Sequence, residues 1–227
     1  MSAFVVQGKR FQAAIFDMDG TLVDSMPYHH QAWIAFLDQQ QLNISPEVFE
    51  RDYHKGTMIE VMARLFPTVQ DEAQLRTIGN KKEALFRRIY HPHLHPIAGL
   101  KVYFEKLYSQ KIPLGLSTMG DQNNIDFTLA GIAMEHFFQA TTGGHQVRLG
   151  KPAPEIFEAT AHKLKINPKD CLAFEDTQSG IRSAQAAGME VVGVATQFTK
   201  STLLEELGCL AAIEDYEEML TRTSFPT

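Results

Sequence analysis

The chain has 227 residues, of which 44% are hydrophobic and 21% charged, enough apolar material for a full core and for division into one large and one small domain. A formal net charge of −6 offers no broad positive field to a nucleic-acid backbone or an anionic membrane surface, so neither is expected as a partner. Any anionic substrate must then be held by a local cluster of donors and cations, assisted by a metal, against the repulsion of the whole molecule.

The N-terminal apolar run Phe4-Val5-Val6 is too short for a signal peptide, and no later stretch approaches membrane-spanning length. A cytoplasmic location is therefore expected. Cys171 and Cys209 match neither a disulfide framework nor a metal-ligand spacing and read as buried, reduced thiols. Asn43-Ile44-Ser45 fits a glycosylation acceptor but is read as a chance match, because nothing marks the chain for export.

In chain order, Phe11 to Asp17 is a short apolar run that stops at acidic residues and Gly20, as a buried strand entering a loop would. Similar runs occur at 112–117, 171–174 and 191–195, separated by helix-like segments after Gly99, around 126–130, and at 154–164 and 179–187. Strands alternating with helices predict an α/β fold, with a Rossmann-like parallel sheet as its core. Residues 27–90 instead keep helical spacing almost throughout. Pro27 suits a first helical turn, and Trp33, Phe36 and Leu37 share one face, as core residues do. The expected organisation is a catalytic core of residues 1–25 and 96–227 with an inserted helical cap of residues 26–95. Hinges fall near 24–26 and at the proline-broken run His91 to Pro96. His91, His93 and His95 read as a solvated connector and not as a metal site.

In open parallel sheets, ligands bind beyond the carboxyl ends of the strands. Four polar sets stand there: Asp17-Met18-Asp19-Gly20-Thr21, Ser117-Thr118, Lys151-Pro152 and Glu175-Asp176. Taken singly, these are compatible with a turn, a helix cap and a surface lysine. An EF-hand reading of the first set fails on the position of its glycine, and a P-loop reading of Gly150-Lys151 fails because Pro152 stands where Ser or Thr is needed. Together, several carboxylates, one lysine and a hydroxyl can hold a hard dication and a phosphate at once. Magnesium is the expected ion, and with it an aspartate can attack an anionic phosphoryl group.

These residues, in this order, resemble the four motifs of the haloacid dehalogenase superfamily of phosphotransferases, with Asp17 to Asp24 as the first, Ser117-Thr118 as the second, Lys151-Pro152 as the third and Phe174-Glu175-Asp176 with Ser179-Gly180-Ile181 as the fourth. The resemblance implies that Asp17 forms an aspartyl-phosphate and binds magnesium, while Asp19 moves the proton and lends its carbonyl to the metal. It also implies metal binding by Asp176 and Glu175, the latter directly or through water. Ser117, Thr118 and Lys151 would hold the phosphoryl oxygens.

The inserted helices and Tyr28 to Trp33 resemble the β-phosphoglucomutase-like branch, which implies cap roles for His29, for Gly56 in the segment Lys55 to Ile59, and for Lys82, with Lys81 as its adjacent competitor. Ile59 stands where that mutase carries a phosphate-gripping arginine, and Met119-Gly120-Asp121 replaces polar groups expected after the second motif. Both departures favour hydrolysis. The expected activity is a magnesium-dependent phosphatase of a small phosphorylated metabolite, with a sugar phosphate favoured and the protein acting as a monomer. The alternatives are a sugar-phosphate mutase and an inorganic pyrophosphatase.

Overall fold

The computed structural model describes residues 2–53 and 56–225. Its chain forms two compact units, one joining the segment up to Asp24 with the segment from His95 onward, the other being Ser25–Leu94.

The first unit is built on a six-stranded, wholly parallel sheet in the order β5-β4-β3-β6-β7-β8. Before it, β1 (Phe4–Val6) and β2 (Lys9–Phe11) form a hairpin through Gln7-Gly8, whose positive φ values of 50° and 76° suit a two-residue turn between twisted strands. The β9 strand (Thr223–Ser224) adds to β1. The run expected as one strand from Phe11 is thus two elements, because Phe11 pairs with Phe4 in the hairpin and the sheet begins at β3 (Ala13–Phe16).

All four β3 side chains are buried, and the strand lies between β4 (Leu114–Thr118) and β6 (Cys171–Glu175). Phe16 is level with Leu116 on one side and Phe174 on the other, so the three carboxyl ends emerge together. The strand order changes direction about β3, and a sheet opens its ligand crevice at such a reversal.

On the outer flanks stand β5 (Phe138–Gly143), β7 (Glu190–Val194) and β8 (Ala211–Ile213). No apolar run announces β5 or β8, since FQATTG carries polar residues and AAI spans only three positions. Helices α5 (Leu100–Ser109), α6 (Gln122–Ile132), α7 (Glu155–Leu164) and α8 (Gln178–Ala186) are the crossovers, and α9 (Tyr216–Arg222) precedes β9. One sheet face buries an aliphatic cluster that includes Ile15, Ile156 and Ile181. Around Phe16 an aromatic group assembles, with Phe174 stacked at 4.4 Å and Phe104 tilted at 4.7 Å between ring centroids. Full burial of each such ring contributes about 2 kcal/mol.

The second unit is helical: α1 (Met26–Gln39), a short turn α2 (Pro46–Val48) that widens through Phe49–Tyr53, α3 (Met58–Leu65) and α4 (Glu72–Tyr90). Its caps are local. Thr57 and Glu60 exchange hydrogen bonds as a capping box, and Asp71 accepts from Ala73 N–H. Trp33, Phe36 and Leu37 enter its apolar core, with Val61 and Met62 from α3 and Leu75 and Leu85 from α4. Among the described residues, no helix is long and apolar enough to cross a membrane.

Candidate active site

The carboxyl ends of β3, β4 and β6 carry the residues that matter. Asp17 follows β3 and continues its ladder by donating N–H to Phe174 carbonyl at 3.0 Å, which fixes its backbone before the chain turns. The turn closes on the Met18 carbonyl, which accepts from Leu22 N–H at 2.8 Å, while Gly20 N–H donates to Val23 carbonyl at 2.7 Å. Gly20 has φ of +79°, and a Cβ there would lie 2.0 Å from Asp176 Oδ2. Only glycine brings this loop against the acid of the neighbouring strand end. Asp19 sits half-buried in the same loop, bridged to Val23.

Asp17, Glu175 and Asp176 each place a carboxylate oxygen within 4.8 Å of the others. Lys151, from the loop before α7, donates to Asp17 Oδ1 at 2.5 Å, to Glu175 Oε1 at 2.6 Å and to Ser117 carbonyl at 3.2 Å. Its side chain is 6% exposed, and those of Asp17 and Glu175 are 9% and 1% exposed.

Three buried acids thus face one ammonium. Burial pushes the Asp17 carboxyl up to about 8, with Lys151 pulling it down and Glu175 and Asp19 pushing it further up. Burial likewise raises Asp176 well above the ordinary carboxylate range, reinforced by Glu175 and Asp17. For Lys151 burial opposes the charged form, but Asp17 and Glu175 outweigh it and hold the ammonium firmly protonated. The cluster is short of positive charge, and its donors are all hard oxygens. That set suits a divalent cation such as magnesium.

Glu175 has a further task. Its Oε2 accepts from Asp176 N–H and Thr177 N–H, both at 2.8 Å, and from Thr177 Oγ1 at 3.0 Å, while Oε1 takes Lys151. Both oxygens are engaged, so Glu175 anchors the lysine and the turn into α8 while standing within the carboxylate group that could hold a metal.

The two hydroxyl candidates separate. Ser117 Oγ donates to Thr160 Oγ1 of α7 at 2.7 Å and is fully buried, so the hydroxyl expected to hold phosphoryl oxygens is turned into the helix layer; only the Ser117 carbonyl reaches Lys151. Successive strand residues face opposite ways. Thr118 Oγ1 instead accepts from Gly120 N–H at 3.0 Å in the loop beyond the strand.

In the helical unit, Lys82 is 1% exposed and Lys81 is exposed, which resolves the ambiguity between these neighbours in favour of Lys82 as the buried group. Lys82 Nζ donates to Glu83 Oε1 at 2.9 Å, lies 3.0 Å from His29 Nδ1 and stands 4.6 Å from the Trp33 ring centroid. His29 stacks on Phe86 at 3.6 Å. Gly56 has φ of +85°, and a Cβ there would meet Glu60 Oε2 at 2.2 Å, so this glycine serves the capping box that opens α3. Lys55, beside it, lies outside the described residues. Ile59 packs against the helical core. His91, His93 and His95 are exposed and join no metal-binding group among the described residues.

Two residues that sequence reasoning missed touch the first loop. Thr196 Oγ1 donates to Gly20 carbonyl at 2.7 Å, and Tyr216 OH donates to Thr21 carbonyl at 2.9 Å. Thr196 follows the end of β7, where a search of all strand ends would have found it; Tyr216 has no such signal.

Residues 14–194 match the family model described as haloacid dehalogenase-like hydrolase. The chain is 27% identical over 211 residues to a phosphorylated carbohydrates phosphatase of Thermotoga maritima, covering 91% of this chain and 95% of the relative. It is 29% identical to a β-phosphoglucomutase of Bacillus subtilis, covering 81% of this chain and 83% of that protein. A crystal structure of a HAD hydrolase, family IA, variant 3, from Entamoeba histolytica superposes with a TM-score of 0.81 at 27% identity, covering 91% of this chain and 94% of that one.

Proposed function

The chain belongs to the haloacid dehalogenase-like hydrolase family and is a phosphatase or phosphomutase, and from that premise we propose a magnesium-dependent phosphatase of small phosphorylated sugars with Asp17 as nucleophile. The observation that carries this reading is the buried set of Asp17, Glu175 and Asp176 held around Lys151. A carboxylate so placed, kept from solvent and steadied on one oxygen by an ammonium, is positioned to attack phosphorus.

In the proposed reaction an Asp17 oxygen bonds to phosphorus as the sugar–oxygen bond to phosphorus breaks. The leaving oxygen takes a proton from Asp19. Water then attacks the aspartyl-phosphate, gives its proton to Asp19 and releases inorganic phosphate, restoring both acids. Lys151 and the Thr118 hydroxyl hold the phosphoryl oxygens, and Glu175 keeps Lys151 in place. Asp17, Asp176 and the Asp19 carbonyl would hold magnesium, which when bound offsets the repulsion between the nucleophile and its anionic target.

Residues 26–95 act in this reading as a cap that selects the substrate, with His29 and Lys82 among its polar groups. Hydrolysis is favoured over mutation because Ile59, where a mutase needs a cation for the distal phosphate, is packed as a hydrophobe. We take the enzyme to act as a monomer in the cytoplasm, where its two buried cysteines stay reduced.

A panel of sugar phosphates, nucleotides and pyrophosphate assayed with magnesium tests the reading. Release of phosphate from sugar phosphates is expected. Rapid conversion of β-glucose 1-phosphate to glucose 6-phosphate with a trace of bisphosphate, without free phosphate, would overturn it in favour of the mutase.

A further inference from the structure

The loop that carries Asp17 and Asp19 closes on itself at Met18 and Val23, but two of its carbonyls take their donors from elsewhere in the chain. After the positive φ at Gly20 its chain leaves the direction of β3, and the carbonyls of Gly20 and Thr21 no longer face a strand that could supply amide donors. Thr21 is fully buried, where an unsatisfied carbonyl is costly. Two hydroxyl groups from the last third of the chain meet these consecutive carbonyls: Thr196 Oγ1 reaches Gly20 at 2.7 Å and Tyr216 OH reaches Thr21 at 2.9 Å.

Tyr216 does more than donate. It is fully buried, its ring lies 6.2 Å from Phe16 and 5.9 Å from Phe174, and those two residues end the ladder beneath Asp17 and Glu175. Its backbone N–H donates to Ala98 carbonyl at 2.9 Å, and Ile97 N–H donates to Leu22 carbonyl at 2.9 Å. One residue thus ties the first loop, the ends of two strands and the segment returning from the insertion.

Resting on the reading of Asp17 and Asp19 given above, we propose that Tyr216, with Thr196, is a positioning residue that sets the distance and aim of the two aspartates through the Gly20 and Thr21 carbonyls. Neither touches the substrate in this role. Tyr216 acts through the backbone between Asp19 and Leu22, so its loss misplaces the acids while leaving the groups that bind substrate intact; Thr196 Oγ1 also reaches Asp176 Oδ2 at 3.4 Å, so Tyr216→Phe is the decisive variant.

Tyr216→Phe removes one oxygen and keeps the ring. Tyr103→Phe is its control, since Tyr103 is equally buried in the same aromatic group but its hydroxyl pairs with Thr223 Oγ1 at 3.3 Å, away from the loop. With a sugar phosphate that the wild type hydrolyses in the presence of magnesium, Tyr216→Phe is expected to lose about tenfold or more in kcat with KM within about twofold, while Tyr103→Phe keeps its kcat. Thr196→Val should behave as Tyr216→Phe does. Amide hydrogen exchange over residues 18–24, which needs no substrate, should quicken in Tyr216→Phe and Thr196→Val and stay as in the wild type in Tyr103→Phe.

Equal kcat in both tyrosine variants, or unchanged exchange over 18–24 in Tyr216→Phe, overturns the proposal. A wild type that hydrolyses no phosphate ester overturns the functional reading instead, and the exchange measurement still decides the positioning.

Discussion

A Cβ added to Gly180 would lie 1.7 Å from Glu175 Oε1, the oxygen that accepts the Lys151 ammonium. The first turn of α8 is therefore pressed against the carboxylate that holds the lysine, and the lysine in turn holds Asp17. Gly180→Ala must push Glu175 aside. We expect a loss of about a hundredfold in kcat/KM, because a displacement of an ångström suffices for that. Wild-type turnover in this variant would show that Glu175 does not position Lys151.

Asp17→Asn keeps the shape of the side chain and removes the nucleophile. Turnover should fall at least about a thousandfold, with the circular dichroism spectrum unchanged. No phosphoenzyme should form when the variant is given substrate. Near-normal activity would rule out a covalent aspartyl intermediate.

The two hydroxyls after β4 are expected to part in their effects. Thr118→Val should cost far more activity than Ser117→Ala, since Ser117 spends its hydroxyl on Thr160. Ser117→Ala should instead cost about 1 kcal/mol of stability, the worth of an ordinary buried hydrogen bond. Chemical denaturation and steady-state kinetics on the pair give the comparison, and a reversed order would return the phosphate-binding role to Ser117.

The burial of these acids, reinforced by their crowding, fixes a pH trend for the protein in chelator. Asp17 titrates near 8 in the fold against an ordinary value of 3.8, so the folded chain keeps a proton that the unfolded chain has released. That contribution is complete below about pH 4 and is lost as pH rises through about 8, and Asp176 shifts in the same direction. Melting temperature in chelator should therefore fall across this window. Saturating magnesium should flatten or reverse the fall, because the cation binds the ionised carboxylates. Identical curves with and without magnesium would speak against a metal at this cluster.

Within the helical unit, Lys82→Met leaves Glu83 charged, buried and without that ammonium. Destabilisation of about 3 kcal/mol is expected from breaking a buried pair on one side. Urea unfolding of the variant measures it, and a loss well under about 1 kcal/mol would assign Lys82 no structural weight.

The α/β class and the parallel sheet were legible because strand and helix periods alternate and because short apolar runs end abruptly in acids. Asp17, Glu175 and Asp176 could be collected from the strand-end rule, Lys151 stands beyond β5, which no apolar run announces, and the fold brings these four together. What stayed hidden depends on angles that a sequence does not carry. Ser117 and Thr118 are neighbours, and only the register of β4 against α7 decides which hydroxyl looks into the helix layer. Lys81 and Lys82 differ by one step around α4. Glu175 reads as a metal ligand, and its hold on Lys151 and on the turn into α8 shows only in the fold. Tyr216 is remote from every motif, and its contact with Thr21 spans 195 positions of chain.

The chain leaves the sheet unit and comes back to it through segments that pair with each other, Val23 bridging Pro96 and Leu22 accepting from Ile97. Seen from the sheet, the seventy residues from Ser25 to Leu94 amount to a loop with adjoining ends. Closing a longer or shorter loop over so small a gap changes the free energy only slowly with length. The segment between those ends can therefore change in length at little cost to closure, while Asp17 and its companions keep their register on the sheet.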